Sequence, residues 1–268
     1  MFKLGWFTVL FLLLASALGA APAWESDLTS STPGTLPNPV PGVIDMQLTW
    51  NGMVSAGKMR IEFAPPDAKK PGAYVVRFSS SSVGAAAALY PYQTNFWSEL
   101  DPKSLRPRYF RATEVDHKER VNTTVRYYPK RVESHQITRN QKTGSIEETR
   151  HDMKFAPIFD IFSAMLHIRS QKLANDDRIT LLIHPLGSPY LLRVKVVAHE
   201  IHNGRSAIRL SVGMQKVDRE TLELRPYKKL KKDVTLWLSD DADRIPIEFR
   251  ASAFIGDVRA TLIKHQKR

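Results

Sequence analysis

Two Asn-Gly pairs, Asn51-Gly52 and Asn203-Gly204, each fall between runs of alternating apolar and polar residues. The tightest two-residue β-hairpin needs positive φ at both central positions, which asparagine and glycine tolerate best. Val43 to Trp50 leads into the first pair and Met53 to Phe63 leaves it. Leu192, Val194, Val196 and Ala198 approach the second, and Ile208, Leu210, Val212 and Met214 return from it. A period of two sends one set of side chains to a core and the other to water. A chain punctuated in this way is confined to antiparallel sheet.

Other segments repeat the pattern. Tyr74, Val76 and Phe78 alternate with Val75 and Arg77; Val121, Thr123, Val125 and Tyr127 lie opposite Asn122, Thr124, Arg126 and Tyr128; Lys142-Thr143-Gly144 marks a further turn. Strands with one polar face imply a sheet that is wet on one side. One segment breaks the period. From Pro157 to Gln171, Ile158, Phe159, Ile161, Phe162, Met165, Leu166 and Ile168 cover too much of a helical circumference for a surface helix with a narrow stripe. Pro157 suits its first turn, and Asp160 and Arg169 suit the two ends of its dipole. The expected fold is mainly β (α+β), a strongly curved antiparallel sheet or half-barrel with one buried helix near 157–171.

The two ends of this β-rich body differ from it. Lys3 precedes an apolar run from Leu4 to Leu18, followed by Ala21-Pro22-Ala23, the pattern of a secretory signal peptide cleaved after Ala23, with Ala17-Leu18-Gly19 an earlier alternative. The run is shorter than the ~20 residues of a membrane-spanning helix. With no cysteine in the chain there is neither a disulfide framework nor a lipid attached through cysteine at a new N-terminus. These features predict a soluble periplasmic protein that is not a lipoprotein. Residues 24–42, with Pro33, Pro37, Pro39 and Pro41, read as a mobile extended arm, and 43–268 as a single β-rich domain. Lys plus Arg number 39 against 27 Asp plus Glu, an excess that suits an anionic partner. Export disfavours nucleic acid and leaves a lipid or anionic envelope component. Eleven of those positives fall in Lys103 to Lys142, and five in Arg225 to Lys232. They either form a receptor patch or simply keep one sheet face solvated, the second being the more general habit of polar strands.

Specific chemistry is sparse. His199-Glu200-Ile201-His202 is one residue short of H-E-x-x-H, and in a strand its two imidazoles point to opposite faces, against a zinc site. Asp240, Asp241 and Asp243 stand between the apolar runs around Trp237 and Ile245 and could ligate calcium, but a turn capped by its own Asp side chains, with Arg244 neutralising a carboxylate, is preferred. Asp160, Ser163 and His167 form a polar strip on the helix that either lines a cleft or faces water, and water is expected. No G-x-S-x-G elbow is present, so no catalytic residue, metal ligand or cofactor is assigned.

Several strings acquire a joint meaning: Trp50-Asn51-Gly52 with Ala56-Gly57, Ser98-Glu99-Leu100-Asp101 leading to Leu105-Arg106-Pro107, Asp160-Ile161-Phe162-Ser163-Ala164 to Ile168-Arg169, Trp237-Leu238-Ser239-Asp240-Asp241 to Arg244-Ile245-Pro246, and Ile255-Gly256. Together they resemble the exported bacterial family called domain of unknown function 3108. That resemblance implies a periplasmic, β-rich single domain in Gram-negative bacteria and brings no activity, cofactor or site residue. The expected function is a non-enzymatic envelope protein holding an apolar or amphiphilic ligand, or an envelope partner, on the concave side of the sheet. Asp160, Ser163, His167, Arg169, Trp237, Asp240, Asp241 and Arg244 are the candidate contacts. A metal-dependent or carboxylate hydrolase using Asp240, Asp241, Asp243 and His167 is one alternative. Scaffolding through the arm is another.

Overall fold

The computed structural model describes residues 21–64, 72–226, 232–253 and 256–268; most of the proposed signal peptide, and residues 227–231 of the second basic run, lie outside them. The strands β1 (Gly42–Trp50), β2 (Val54–Ala64), β3 (Tyr74–Ser82), β4 (Tyr92–Leu100), β5 (Pro107–Asp116), β6 (Glu119–Tyr127), β7 (Val132–Asn140) and β8 (Ile146–Met153) form a consecutive antiparallel meander. A short helix, α1 (Gly84–Leu89), links β3 to β4, and α2 (Ile161–Ser170) follows β8. A second meander then runs through β9 (Arg178–Ile183), β10 (Tyr190–His202), β11 (Arg205–Val217), β13 (Val234–Ser239), β14 (Pro246–Ala253) and β15 (Gly256–Lys267), with the small strand β12 (Leu224–Pro226) attached to β11. β15 pairs antiparallel with β1, joining the two meanders into one sheet whose edges are β8 and β9.

Both Asn-Gly pairs make the expected turns. Asn51 and Gly52 have φ of 50° and 71°, and Asn203 and Gly204 have 50° and 74°. A Cβ at Gly204 would meet nothing within 4 Å, so Gly204→Ala isolates the backbone cost. It is expected to destabilise by about 1–2 kcal/mol, read as a lowered midpoint of urea unfolding with unchanged slope.

The helix explains why the sheet stays open. β8 does not pair with β9; instead the segment entering α2 lies along β9, where Phe159 N–H donates to Leu182 O at 2.9 Å and His184 N–H donates to Phe159 O at 2.7 Å. The edge of β9 is thereby covered. Helix α2 is apolar on two sides because it packs against both halves of the inner surface. Phe162 and Leu166 join a core lined mainly by β1 to β8, while Ala164 and Ile168, with Phe159 just before the helix, join the core under β9, β10, β11 and β13. The Phe162 ring lies 6.0–6.4 Å from those of Phe78, Phe96 and Phe110. The helix itself is shorter than expected, with Pro157 before it and Asp160 at its N-cap.

The segment before β1 corrects the expectation of a mobile arm. Trp24 is a core residue, 4% exposed, with its ring 5.2 Å from Phe155 and its Nε1 donating to Leu222 O at 2.7 Å. Thr29 exchanges two 2.9 Å hydrogen bonds with Thr180 at the β9 edge. Further along, Asn38 donates to Pro102 O and Tyr74 Oη donates to Pro39 O, each at 2.7 Å. A Cβ on Gly34 would collide with the Ser170 carbonyl, so glycine permits the close approach to the end of α2. The prolines that suggested freedom hold this segment extended with its carbonyls free to accept.

Candidate functional site

The candidate residues on α2 do not face water. Asp160, Ser163 and His167 are each 0% exposed. Asp160 forms a capping box: its Oδ1 accepts from the N–H groups of Phe162 and Ser163 at 2.7 and 2.8 Å, and Ser163 Oγ accepts from Asp160 N–H at 2.8 Å. Ser98 Oγ on β4 donates to the remaining oxygen, Asp160 Oδ2, at 2.6 Å. Burial pushes this carboxyl upward and the donated hydrogen bonds pull it back. Asp160 thus ties the start of α2 to β4, with both of its oxygens engaged. The Pro/Ser/Thr-rich segment lies against the other end of the helix, where Gly34 N–H donates to Ser170 Oγ at 2.9 Å and Gln171 Nε2 donates to Thr32 O at 3.3 Å.

At the other end of α2 two arginines interlock. Arg169 is buried and its guanidinium donates to Asp243 O at 2.8 Å, to Ala242 O at 2.9 Å and to Pro37 O. Arg244, at φ 43° in the turn between β13 and β14, donates back to the carbonyls of Arg169 (2.9 Å), Gln171 and Lys172 (2.8 Å). Its donated hydrogen bonds all go to carbonyls at and just beyond the end of α2, which carry the negative end of the helix dipole, while Asp240 acts on its charge without a hydrogen bond. One arginine from each element holds the backbone of the other.

The three carboxylates of that turn diverge. Asp241 Oδ1 accepts from Ser239 Oγ and from the N–H groups of Asp243 and Arg244 at 2.8–3.0 Å, the self-capping that its sequence suggested. Asp240 pairs with His199 Nδ1 at 2.7 Å, and Asp243 with Lys267 Nζ at 2.8 Å. His167 is elsewhere, with Nε2 3.3 Å from Gln171 Nε2. Residues that a hydrolase would need together are therefore separated, and no group of three metal-ligating side chains occurs among the described residues.

His199 and His202 turn to different partners, as their odd spacing requires. His199 lies between Asp240 and the Leu173 carbonyl, 2.9 Å from Nε2. The Asp240 hydrogen bond, and then that carbonyl, raise its pKa above the ordinary 6.5. Its contribution to stability is therefore present below 6.5 and lost as pH rises through the raised value. In an NMR titration His199 is expected to titrate above 6.5, and Asp240→Asn to bring it down; an unchanged midpoint would contradict the pairing. His202 stacks on Trp237, with centroids 4.2 Å apart, and its Nε2 contacts Glu248 Oε2 at 2.8 Å. Trp237 Nε1 donates to Glu200 Oε1 at 2.8 Å, while Ala207 and Ile247 pack with the Trp237 ring. Trp237 is thus an internally satisfied residue.

Arg106, marked in the sequence only by Leu105-Arg106-Pro107 and the basic cluster, behaves differently. It precedes β5 at the end of the sheet where β6 finishes and β7 begins. Its Cζ lies 4.9 Å from the Phe159 ring centroid, and its buried Nη1 has no partner among the described residues. Nearby, His167 has a buried Nδ1 in the same situation. Burial, and secondarily Arg106, push His167 down to about 4, so this imidazole stays neutral at pH 7. Arg106 lines a groove of about 280 Å³ with Pro107, Tyr127, Val132, Phe155 and Ile158. Because Arg106 stands outside the strand, alternation could not have shown where its side chain goes. On the outer face of the sheet, Trp97 instead lies between Arg77 (4.6 Å) and Arg111 (5.1 Å) in a cross-strand ladder. Cation–π contact of this kind is a common way of ordering surface arginines.

Comparison with known proteins supports the fold. A crystallised β-barrel-like protein of the domain of unknown function DUF1849 from Brucella abortus is 12% identical with a TM-score of 0.55, the match covering 86% of this chain and 99% of that one. A Bacteroides fragilis protein of YmcC-like fold, proposed to be exported, is 7% identical over 88% of this chain and 100% of that one, with a TM-score of 0.32. The first likeness is one of fold alone, and the second is too loose to bear on it. No curated protein matches the sequence. The family model for the protein of unknown function DUF3108 matches residues 45–263, a span holding nearly every strand, α2 and the turn that α2 interlocks with, and the chain belongs to that family.

Proposed function

We propose that the protein is a non-enzymatic binding protein of the bacterial cell envelope, exported by residues 1–23, and that it holds an amphiphilic ligand. The concave side, where the sequence led us to expect that ligand, is occupied by α2 and the aromatic cluster around Phe162. The place for a ligand moves to the end of the sheet, in the groove beside Arg106. The observation that carries this function is the character of that groove: apolar side chains of β6, β7 and the 155–158 segment form its walls, with one charged residue among them. Binding sites for small molecules commonly combine an apolar wall with a few polar groups that fix orientation. The region lies within the family match and draws on the Leu105-Arg106-Pro107 string. Among the described residues no helix is long and apolar enough to cross a membrane.

The test uses the full chain purified without detergent and equilibrated with dodecanoate or dodecanol. Native mass spectrometry is expected to show a retained one-to-one complex with at least one of them. Ala156→Trp, at an exposed position on the groove wall, is expected to abolish it while leaving the circular dichroism unchanged. Retention of neither compound by the unaltered protein would overturn the proposal.

A further inference from the structure

Resting on that binding role, we infer that the ligand carries a single monoanionic head group, a carboxylate or phosphodiester, and that Arg106 receives it. Four arginines feel burial strongly enough for it to lower their pKa: Arg106, Arg169, Arg219 and Arg244. Arg169 and Arg244 each donate to three backbone carbonyls. Arg219 donates to Gly187 O and to Ser188 Oγ, and Asp218 lies close enough to raise its pKa. Arg106 has no acceptor and no carboxylate of this kind among the described residues, only the face of Phe159.

A guanidinium remains charged throughout the physiological range, so it cannot relieve its situation by losing a proton. Partial burial beside an aromatic face strengthens its attraction for an anion, because less water competes. Neutral His167 adds no second cation at pH 7, so one negative charge balances the local set. The other polar groups of the groove are already engaged: Tyr127 Oη donates to His184 O at 2.9 Å and Tyr128 Oη to Glu133 Oε2 at 3.1 Å. The remaining walls offer apolar contact to a chain. A monoanion with an alkyl tail satisfies both parts, whereas a free inorganic anion uses only the guanidinium.

Calorimetric titration of the full-length mature chain with dodecanoate, dodecanol and inorganic phosphate separates these cases. Dodecanoate is expected to bind at least about tenfold more tightly than dodecanol, as charge-assisted pairing with a half-buried arginine allows. Arg106→Gln is expected to erase that preference while leaving dodecanol affinity within about twofold, and Arg106→Lys to retain part of it. Equal affinities for dodecanoate and dodecanol in the unaltered protein would overturn the head-group assignment yet leave the binding role standing. Phosphate binding as tightly as dodecanoate would overturn the amphiphile class. Binding of none of the three would remove the binding role itself.

Discussion

Lowering the pH from 7 to 4 is expected to cost the protein about 6 kcal/mol of folding stability through two histidines alone. Burial, and then Arg106, depress His167 to about 4; burial, and then Arg219, depress His184 to about 3. Both titrate near 6.5 once exposed. Above 6.5 neither state binds the extra protons, and stability is whole. Below it the unfolded chain takes up protons that the folded chain refuses until about 4 and about 3, so stability falls continuously across that window. Each ring also has a buried Nδ1 with no hydrogen-bond partner among the described residues, and the nearby backbone, of Ser30 for His167 and of His184 itself, offsets the effect of burial only in part. Asp241 and Glu248, whose pKa values hydrogen bonds lower, add loss of the same sign, while the raised Asp160 opposes it. A loss of this size approaches the whole stability of many domains, roughly 5–15 kcal/mol. Urea titrations at pH 7 and pH 4 provide the check, and His167→Gln is expected to recover about half of the lost free energy at pH 4. Equal unfolding midpoints at the two pH values would refute this account of the buried imidazoles.

The interlock at the end of α2 supplies the second large effect. Arg169→Met removes the donor for three carbonyls from two separate segments, and is expected to destabilise by about 3–5 kcal/mol, because each buried acceptor left unsatisfied costs roughly 1–3 kcal/mol. Arg169→Lys keeps the charge but not the planar fork and is expected to restore less than half of the loss. Arg244→Met should cost less, since its partners lie nearer the surface and solvent can replace part of the donation. Thermal unfolding followed by circular dichroism would rank the three variants; indistinguishable melting temperatures for Arg169→Met and the unaltered protein would sink the interlock as a stabilising device.

What the order of amino acids reveals about this chain, and what it conceals, divides along local and distant interactions. The hairpins at Asn51-Gly52 and Asn203-Gly204 are legible because a turn imposes its backbone requirement locally. The helix is legible because its apolar residues outnumber any single face, which only burial on two sides satisfies. The fate of Asp160, Ser163 and His167 is not legible, since a polar strip looks the same whether water or another segment lies above it. The segment before β1 reads as a free arm for a related reason. Serines, threonines and prolines bury little surface themselves, and its attachment depends on Trp24, on Gly34 and on donors supplied by Tyr74 and Arg169 far along the chain. Arg106 is hidden among eleven basic residues, and what distinguishes it is the absence of an acceptor around its guanidinium among the described residues.

The pairing of β15 with β1 places the last strand of the chain between β14 and the first. Such distant pairing raises contact order and delays closure of the sheet until the final residues are available. A chain cut short before Gly256 would leave both β1 and β14 with bare edges, each open to pairing with a neighbouring molecule. The last twelve-residue strand, Gly256–Lys267, thereby acts as the fastener that converts two sticky half-sheets into one folded protein, and its loss is expected to appear as aggregation rather than as a smaller soluble fragment.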